Sequence, residues 1–280
     1  MEQKREAVSE SIGYLIIFGL ILTGIGLITL YGYPLLMQQQ SSANMRNMEQ
    51  TMIVLQNDIK SLTYKLANYK ETSLRVSGGT LSLYGTSHTP QKFRITTMVG
   101  GMPSDMDQPA FLPGELRYSS TADNTVITLE NGAVIEKPLS TKGSFMLADP
   151  RWYLDNSSGR RTLVINFMNL SGLEGSGDLL SQTGIGTVRM RLSQTTMVTR
   201  PTDWPPSPGG ATITITYNPD NKDIITPEGY GLAWKTYLTN PNNLGMTCTG
   251  DPLNADPLVC SITDIQNIVV KYYSIVVETL

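Results

Sequence analysis

Hydrolysis through a serine or cysteine needs a base beside the nucleophile, and the chain's single histidine, His88, is the one imidazole that could serve. It stands in Ser87-His88-Thr89-Pro90, a turn-forming stretch, and no serine sits in a Gly-x-Ser-x-Gly elbow. No Gly-rich loop with a lysine is present to cradle phosphate. Glycoside cleavage needs two carboxylates that meet only in the fold. Asp105 and Asp107 flank a methionine in a Gly/Pro-rich segment and read as solvated loop residues. Asp220, Asn221 and Asp223 could offer oxygens to Ca²⁺, but the spacing, glycine and bidentate Glu of a calcium loop are missing, so they read as an Asx-rich turn. The expectation is therefore no catalytic residue, no metal, no cofactor and no enzyme.

Two cysteines remain, Cys248 and Cys260. An even pair in an oxidising compartment reads as one disulfide closing a loop, worth about 3 kcal/mol for a loop of this size. Asn156-Ser157-Ser158 and Asn169-Leu170-Ser171 match the N-glycosylation pattern and make Asn156 and Asn169 acceptor candidates. In a chain this rich in Asn, Ser and Thr, two such matches are expected by chance.

Charge narrows the partners. Residues 1–71 carry six Lys/Arg and six Asp/Glu, and the remainder carries fifteen against eighteen. A mildly acidic outer part argues against nucleic acid, which requires a basic face. Arg160-Arg161 and Arg189/Arg191 are the only tight basic groups and read as solvated strand residues.

The strongest element is the apolar run from Ile12 to Leu36, with no charged residue between Glu10 and Arg46. As a helix, 25 residues reach roughly 37 Å, enough to cross a bilayer with some tilt. Lys4 and Arg5 precede it, and no positive charge follows before Arg46. That asymmetry places the N-terminus in the cytoplasm and residues 38–280 outside. The run exceeds the apolar core of an ordinary secretory signal (about 7–15 residues), and no Ala-x-Ala site follows it, so it is expected to stay attached. Gly19, Thr23 and Gly26 fall at i, i+4 and i+7. Such a stripe either forms a self-association face in lipid or reflects the general abundance of Gly in membrane helices.

Beyond the span, Met45, Met48, Met52, Leu55, Ile59, Leu62, Leu66 and Tyr69 repeat at spacings of 3 and 4, a heptad seam with polar residues between. Pro34 is expected to kink the join at the membrane surface. The pattern predicts one bent helix from about Ser9 to about Lys70. Its seam can pair with another chain or dock on the chain's own head. Three methionines, and no Ile/Val-then-Leu alternation, favour docking of at least Leu55 to Tyr69.

The start, Lys4-Arg5-Glu6-Ala7-Val8-Ser9-Glu10-Ser11-Ile12-Gly13-Tyr14, resembles the class III signal and N-terminal helix of archaeal type IV pilin-like proteins and archaellins. The resemblance is limited to roughly residues 4–45. It implies a prepilin-type peptidase cutting after Ala7, with Val8 the first mature residue and Glu10 near the new N-terminus. It departs from the family's preference in having Glu6, rather than a basic residue, directly before Ala7. It also implies other pilin-like subunits as partners through the helix.

From about Leu74 the period becomes 2. Leu74–Ser77 and Thr80–Tyr84 read as two strands about a Gly78-Gly79 turn, and residues 171–186 read as a loop. Asn131-Gly132 is the strongest hairpin signal, since Asn-Gly supplies the positive φ angles of a type I′ turn. Val188, Met190 and Leu192, like Ile213, Ile215 and Tyr217, alternate with polar residues, which marks an antiparallel sheet with one wet face. Pro201–Gly210 reads as a long surface loop; Gly229–Leu238 fits strand or helix. Ile268–Val277, apolar on both faces, reads as a central strand.

The expected architecture is α+β: a leader over 1–7, a transmembrane helix over 8–37, an amphipathic stalk helix over 38–71 and a mainly antiparallel β-sandwich head over 72–280. The expected role is a pilin-like, membrane-anchored surface subunit in a filament or its assembly machinery. The alternative is a non-polymerising single-pass protein whose β ectodomain binds envelope, carbohydrate or a partner protein.

Overall fold

The computed structural model describes residues 3–65, 67–99, 102–105, 111–120, 122–156, 159–173, 178–200, 210–219, 226 and 229–280, with side chains except at 3–11, 99, 102–105 and 198–200. The chain divides into two compact units, Met1–Arg46 and Asn47–Leu280.

The first unit is helical. Helix α1 (Gln3–Leu27) passes through one π-helical turn (Ile28–Gly32) into α2 (Tyr33–Tyr64). The sequence calls for a disturbance here because Pro34 has no N–H to give. The answer is a π turn just ahead of it, in which the Tyr33 N–H bonds to Ile28 O. The most apolar 18-residue window has a mean hydropathy of 2.3, so this helix is long and apolar enough to cross a membrane.

In the second unit a nine-stranded sheet runs in the order β7-β6-β5-β4-β1-β10-β14-β9-β8. Its strands are β1 (Tyr69–Tyr84), β4 (Glu115–Ser120), β5 (Thr125–Glu130), β6 (Ala133–Pro138), β7 (Phe145–Ala148), β8 (Tyr153–Asp155), β9 (Thr162–Gly172), β10 (Leu179–Arg200) and β14 (Asn267–Thr279). A five-stranded sheet, β12-β13-β11-β2-β3, is built from β2 (Phe93–Val99), β3 (Met102–Asp105), β11 (Ala211–Tyr217), β12 (Thr247–Thr249) and β13 (Leu258–Ile265). Among the described residues every strand pairing is antiparallel except β9 with β14. Helix α3 (Gly231–Thr239) occupies the stretch whose pattern fitted strand or helix.

One core lies between the two sheets and α3. It takes Ile213, Ile215 and Tyr217 from β11, Ala133 and Ile135 from β6, Leu163, Ile165 and Phe167 from β9, and Trp234 from α3. Strand alternation puts Val134, also fully buried, on the opposite face of the large sheet. That face is where the end of α2 packs. The fold is therefore α+β, with a long N-terminal apolar helix and a mainly antiparallel, sheet-rich head.

Three local expectations need correction. The stalk helix ends at Tyr64, not at residue 71, although no Pro or Gly breaks it. The strand wins because Tyr69–Val76 pairs along β10, and Thr72 and Lys70 both reach back to Asp58 on α2. Tyr69, expected on the seam, is instead an exposed strand residue, and Leu66 lies outside the described residues. Second, Gly78-Gly79 is not a hairpin turn but an irregularity within the single strand β1, where the register with β10 shifts between Val76 and Leu81. A Cβ at Gly79 would stand 2.3 Å from Ser119 O, so the neighbouring strand β4 admits only glycine there. Third, the Gly/Ser-rich 171–186 stretch begins with the end of β9 at Gly172 and is strand again from Leu179 onward, because β1 pairs with Leu179–Gln182 and again from Gly184.

The Asn131-Gly132 turn has the two positive φ angles, 49° and 75°, that its residue types supply. Cys248 and Cys260 sit directly opposite each other on β12 and β13 and form a disulfide.

Candidate functional site: a docked helix segment and a buried charge cluster

In the first unit the apolar side chains are spread outward all round the helix, as at Tyr14, Leu20, Ile28, Leu30 and Leu36. A helix apolar all round belongs in a medium as apolar as itself. A Cβ placed on Gly19, Gly24 or Gly26 would meet nothing within 4 Å. The Thr23 hydroxyl donates back to Gly19 O at 2.7 Å, so this side of the helix shows no unpaired polar atom. Ala7, Val8 and Glu10 lie within α1, and their side chains are outside the described residues. Met45 lies in this unit, one residue before its end at Arg46.

The second unit holds the rest of the seam. Met48, Met52, Leu55, Ile59 and Leu62 are at most 1% exposed, whereas Val54 on the far side of α2 is 47% exposed. One polar residue is buried among them. Gln56 Nε2 donates to Gly132 O at 2.7 Å and Asp149 O at 2.9 Å, and its Oε1 accepts from Lys60 Nζ at 3.0 Å. This amide therefore fixes the helix to the β5–β6 turn. At the other end Tyr64 packs edge-on against Tyr273 of β14, with the Arg151 guanidinium 4.5 Å from its ring centroid. Burial pushes the Tyr64 hydroxyl well above its ordinary range, as Tyr273 beside it does further.

Among the described residues five charged side chains are buried; Lys137 reaches Lys142 O at 3.5 Å, and the other four, Lys92, Glu115, Arg117 and Glu130, come together deep in the head. Lys92 Nζ contacts Glu130 Oε2 closely and lies 3.3 Å from Glu115 Oε2. Glu115 Oε1 pairs with Arg117. The Trp234 indole N–H donates to Glu130 Oε1 at 3.3 Å, and Lys92 Nζ lies 5.2 Å from the centroid of the Tyr230 ring. Two cations meet two anions, so the cluster is neutral overall. Burial alone would push Lys92 down; Glu115 and Glu130 outweigh it and hold the ammonium well above its ordinary value. Burial pushes the Glu130 carboxyl up, Lys92 pulls it down and Glu115 pushes it up again, leaving it raised.

His88, the sole candidate base, is exposed in a turn. Ser87 Oγ lies 3.0 Å from His88 Nδ1 and donates to Asp178 Oδ2 at 2.8 Å. Here the serine bridges the acid and the imidazole. In a hydrolytic triad the imidazole would be the bridge, so the order is wrong for a relay. Asp178 instead staples the turn at Ser87 to the end of β9, accepting from the backbone N–H of Ser87 at 2.7 Å and of Gly172 at 2.6 Å. Burial pushes its carboxyl up, but these bonds outweigh it and bring it below the usual value of 3.8. Because the folded value is the lower one, the staple's contribution is present above pH 3.8 and is lost as pH falls through the folded value. Hydrogen exchange of residues 85–89, corrected for intrinsic rates, is expected to lose protection below that pH, and Asp178→Ala is expected to lose it at neutral pH. Protection unchanged in Asp178→Ala would refute the staple.

An open groove of about 410 Å³ is lined by Asn68, Tyr69, Glu71, Arg189, Arg191 and Glu278. Its charges cancel in place: Arg189 Nη2 pairs with Glu71 at 2.7 Å and Arg191 Nε with Glu278 at 2.9 Å. Neither arginine is left over for an anion. Among the described residues no group of three or more His, Cys, Asp or Glu could hold a metal ion. Asp107 and Asp220, Asn221 and Asp223 lie outside the described residues, as does the side chain of Asp105. Of the two sequons, Asn156 is exposed. Asn169 sits inside β9, opposite Ser274, with its Oδ1 buried, a poor place to attach a glycan.

A family model matches residues 6–278, taking in the apolar helix, the docked segment and the head together. The chain belongs to DUF7289, a family of unknown function. No curated protein and no solved structure matches it. The DUF7289 match spans both the apolar helix and the head.

The sequence reading missed Gln56 and the four clustered charges, Lys92, Glu115, Arg117 and Glu130, of this DUF7289 chain. Glu115 and Arg117 stand at alternate positions of one strand, and Glu130 immediately precedes the Asn131-Gly132 turn. Charged residues in such places read as the wet side of a sheet. The available signal was Lys92 at the entry to an apolar strand, followed by charges two residues apart, but it carries no direction.

Proposed function

We propose that this protein is a pilin-like, membrane-anchored structural subunit of the cell surface, with its N-terminus cytoplasmic and its head outside. The observation that carries the reading is the split use of the N-terminal helices. The seam from Met48 to Leu62 is consumed by the chain's own head, while the apolar side chains of residues 12–37 remain outward-facing. A helix of that kind has lipid or other helices as its natural neighbours. The Cys248–Cys260 disulfide agrees with an oxidising exterior. The pilin-like start adds processing by a prepilin-type peptidase after Ala7 and helix-to-helix contact through Gly19, Thr23 and Gly26.

Electron microscopy of surface filaments from cells with and without the gene tests the role, together with the intact mass of the membrane-extracted protein. The expected results are loss or alteration of filaments and a mature N-terminus at Val8. Unchanged filaments, with Lys4 and Arg5 retained, would overturn the pilin-like reading in favour of a non-polymerising anchored binding protein.

A further inference from the structure

The buried cluster brings a primary amine against a carboxyl group, with a second carboxylate beside the amine and water excluded. We infer that Lys92 and Glu130 become joined by an intramolecular amide bond, with Glu115 as the proton carrier. The geometry assigns each part. Lys92 Nζ touches Glu130 Oε2, the oxygen that leaves. Glu130 Oε1, the oxygen that stays, receives the Trp234 N–H at 3.3 Å, a donor placed where negative charge develops on attack. Glu115 Oε2 lies 3.3 Å from Nζ, within reach of the proton that must be moved. Its other oxygen pairs with Arg117, which holds it in place.

The reaction balances without any other reagent. The ammonium gives one proton to Glu130, leaving an amine and a carboxylic acid. The Nζ lone pair attacks Cδ of Glu130. Glu115 takes a second proton from Nζ and delivers it to the departing hydroxyl. The C–O bond breaks, a C–N bond remains, and one water leaves; nothing is oxidised or reduced.

Two physical effects drive it. Buried ion pairs carry a desolvation cost, and replacing one with a neutral group of similar volume is often favourable. Here the amide replaces two buried charges, while Glu115 and Arg117 still neutralise each other. Reactants held in such contact also have effective molarities of about 10⁵–10⁸ M, which offsets the tendency of an amide to hydrolyse in water. Both carboxylates oppose proton loss from Lys92 to solvent, but transfer to Glu130 moves the proton only within the contact. Burial, which holds the Glu130 carboxyl up, favours its acid form.

Lys92 stands at the entry to β2 in the five-stranded sheet, and Glu130 closes β5 in the nine-stranded one. The bond would tie the two sheets together covalently.

The test is peptide mapping of the full chain, extracted in detergent, reduced, alkylated and digested. The expected product is a branched species joining the Lys92 and Glu130 peptides, lighter by one water than their sum. Cleavage after Lys92 should be lost, and Lys92→Arg, which keeps the positive charge, should abolish the branch. Recovery of cleaved, linear Lys92 and Glu130 peptides alone from the wild-type chain would overturn the inference, whatever the variants do. Glu115→Gln keeps an oxygen for Arg117 and should slow linkage by about 100-fold or more. An unchanged linked fraction in a freshly made Glu115→Gln chain would overturn the role given to Glu115.

Discussion

Ile59→Asp is expected to cost the head about 4 kcal/mol or more, because it places a carboxylate with no partner at a position 1% exposed in the centre of the docked seam. Its neighbours along the helix, Leu55 and Leu62, are fully buried, and the nearby polar group, Gln56, is already committed to two backbone carbonyls. The carboxylate must drag the helix off the sheet or stay protonated. The first outcome exposes the outer face of the large sheet; the second costs the free energy of keeping a carboxyl neutral at neutral pH. Val54→Asp supplies the contrast: on the same helix but outward-facing, it should change stability by no more than about 0.5 kcal/mol. The measurement is denaturant unfolding of the detergent-extracted chain, followed by near-ultraviolet circular dichroism. Equal midpoints for the two variants would show that the seam contributes nothing to the head.

Trp234→Ala should cost about 3–5 kcal/mol, the range for removing a fully buried large aromatic. Trp234 is the hub of the inter-sheet core. Its ring lies 4.8 Å from Phe93, 5.2 Å from Trp152 and 6.2 Å from Tyr237, centroid to centroid. Truncation leaves a large void and also removes the N–H donated to Glu130. Trp234→Phe, which keeps a ring, should lose much less. The same unfolding experiment applies, and a loss below about 1 kcal/mol for the alanine variant would mean that the core closes over the gap.

What could be read in advance followed the strength of local periodicity. The apolar run of α1, the 3-and-4 spacing that carries Met48 to Leu62, and the alternation of β11 are visible because one face of each element meets one medium. The Asn131-Gly132 hairpin is visible because its residue types answer a backbone demand. The end of α2 is not, since Lys65 to Glu71 would serve a helix as well as a strand. Only pairing with β10, distant in sequence, decides between them. Gly78-Gly79 misleads for a related reason: a glycine pair signals a turn locally, but here it makes room for the backbone of β4. The charge cluster was illegible because its members come from β4, β5 and the entry to β2, and a single strand does not reveal which of its faces is dry.

The place of β14 has a consequence for how the molecule is made. This strand (Asn267–Thr279) lies between β10 and β9, yet it follows both in the chain. Until it arrives, β9 and β10 each present an unpaired edge, and the large sheet is held as two separate halves. Its pairing with β9 is also the parallel one, which closes over a long loop and is intrinsically slow. The large sheet is therefore completed only after β14 has been added. Newly made chains must spend an interval with two sticky edges exposed, at the moment when their most apolar segment is also seeking its place.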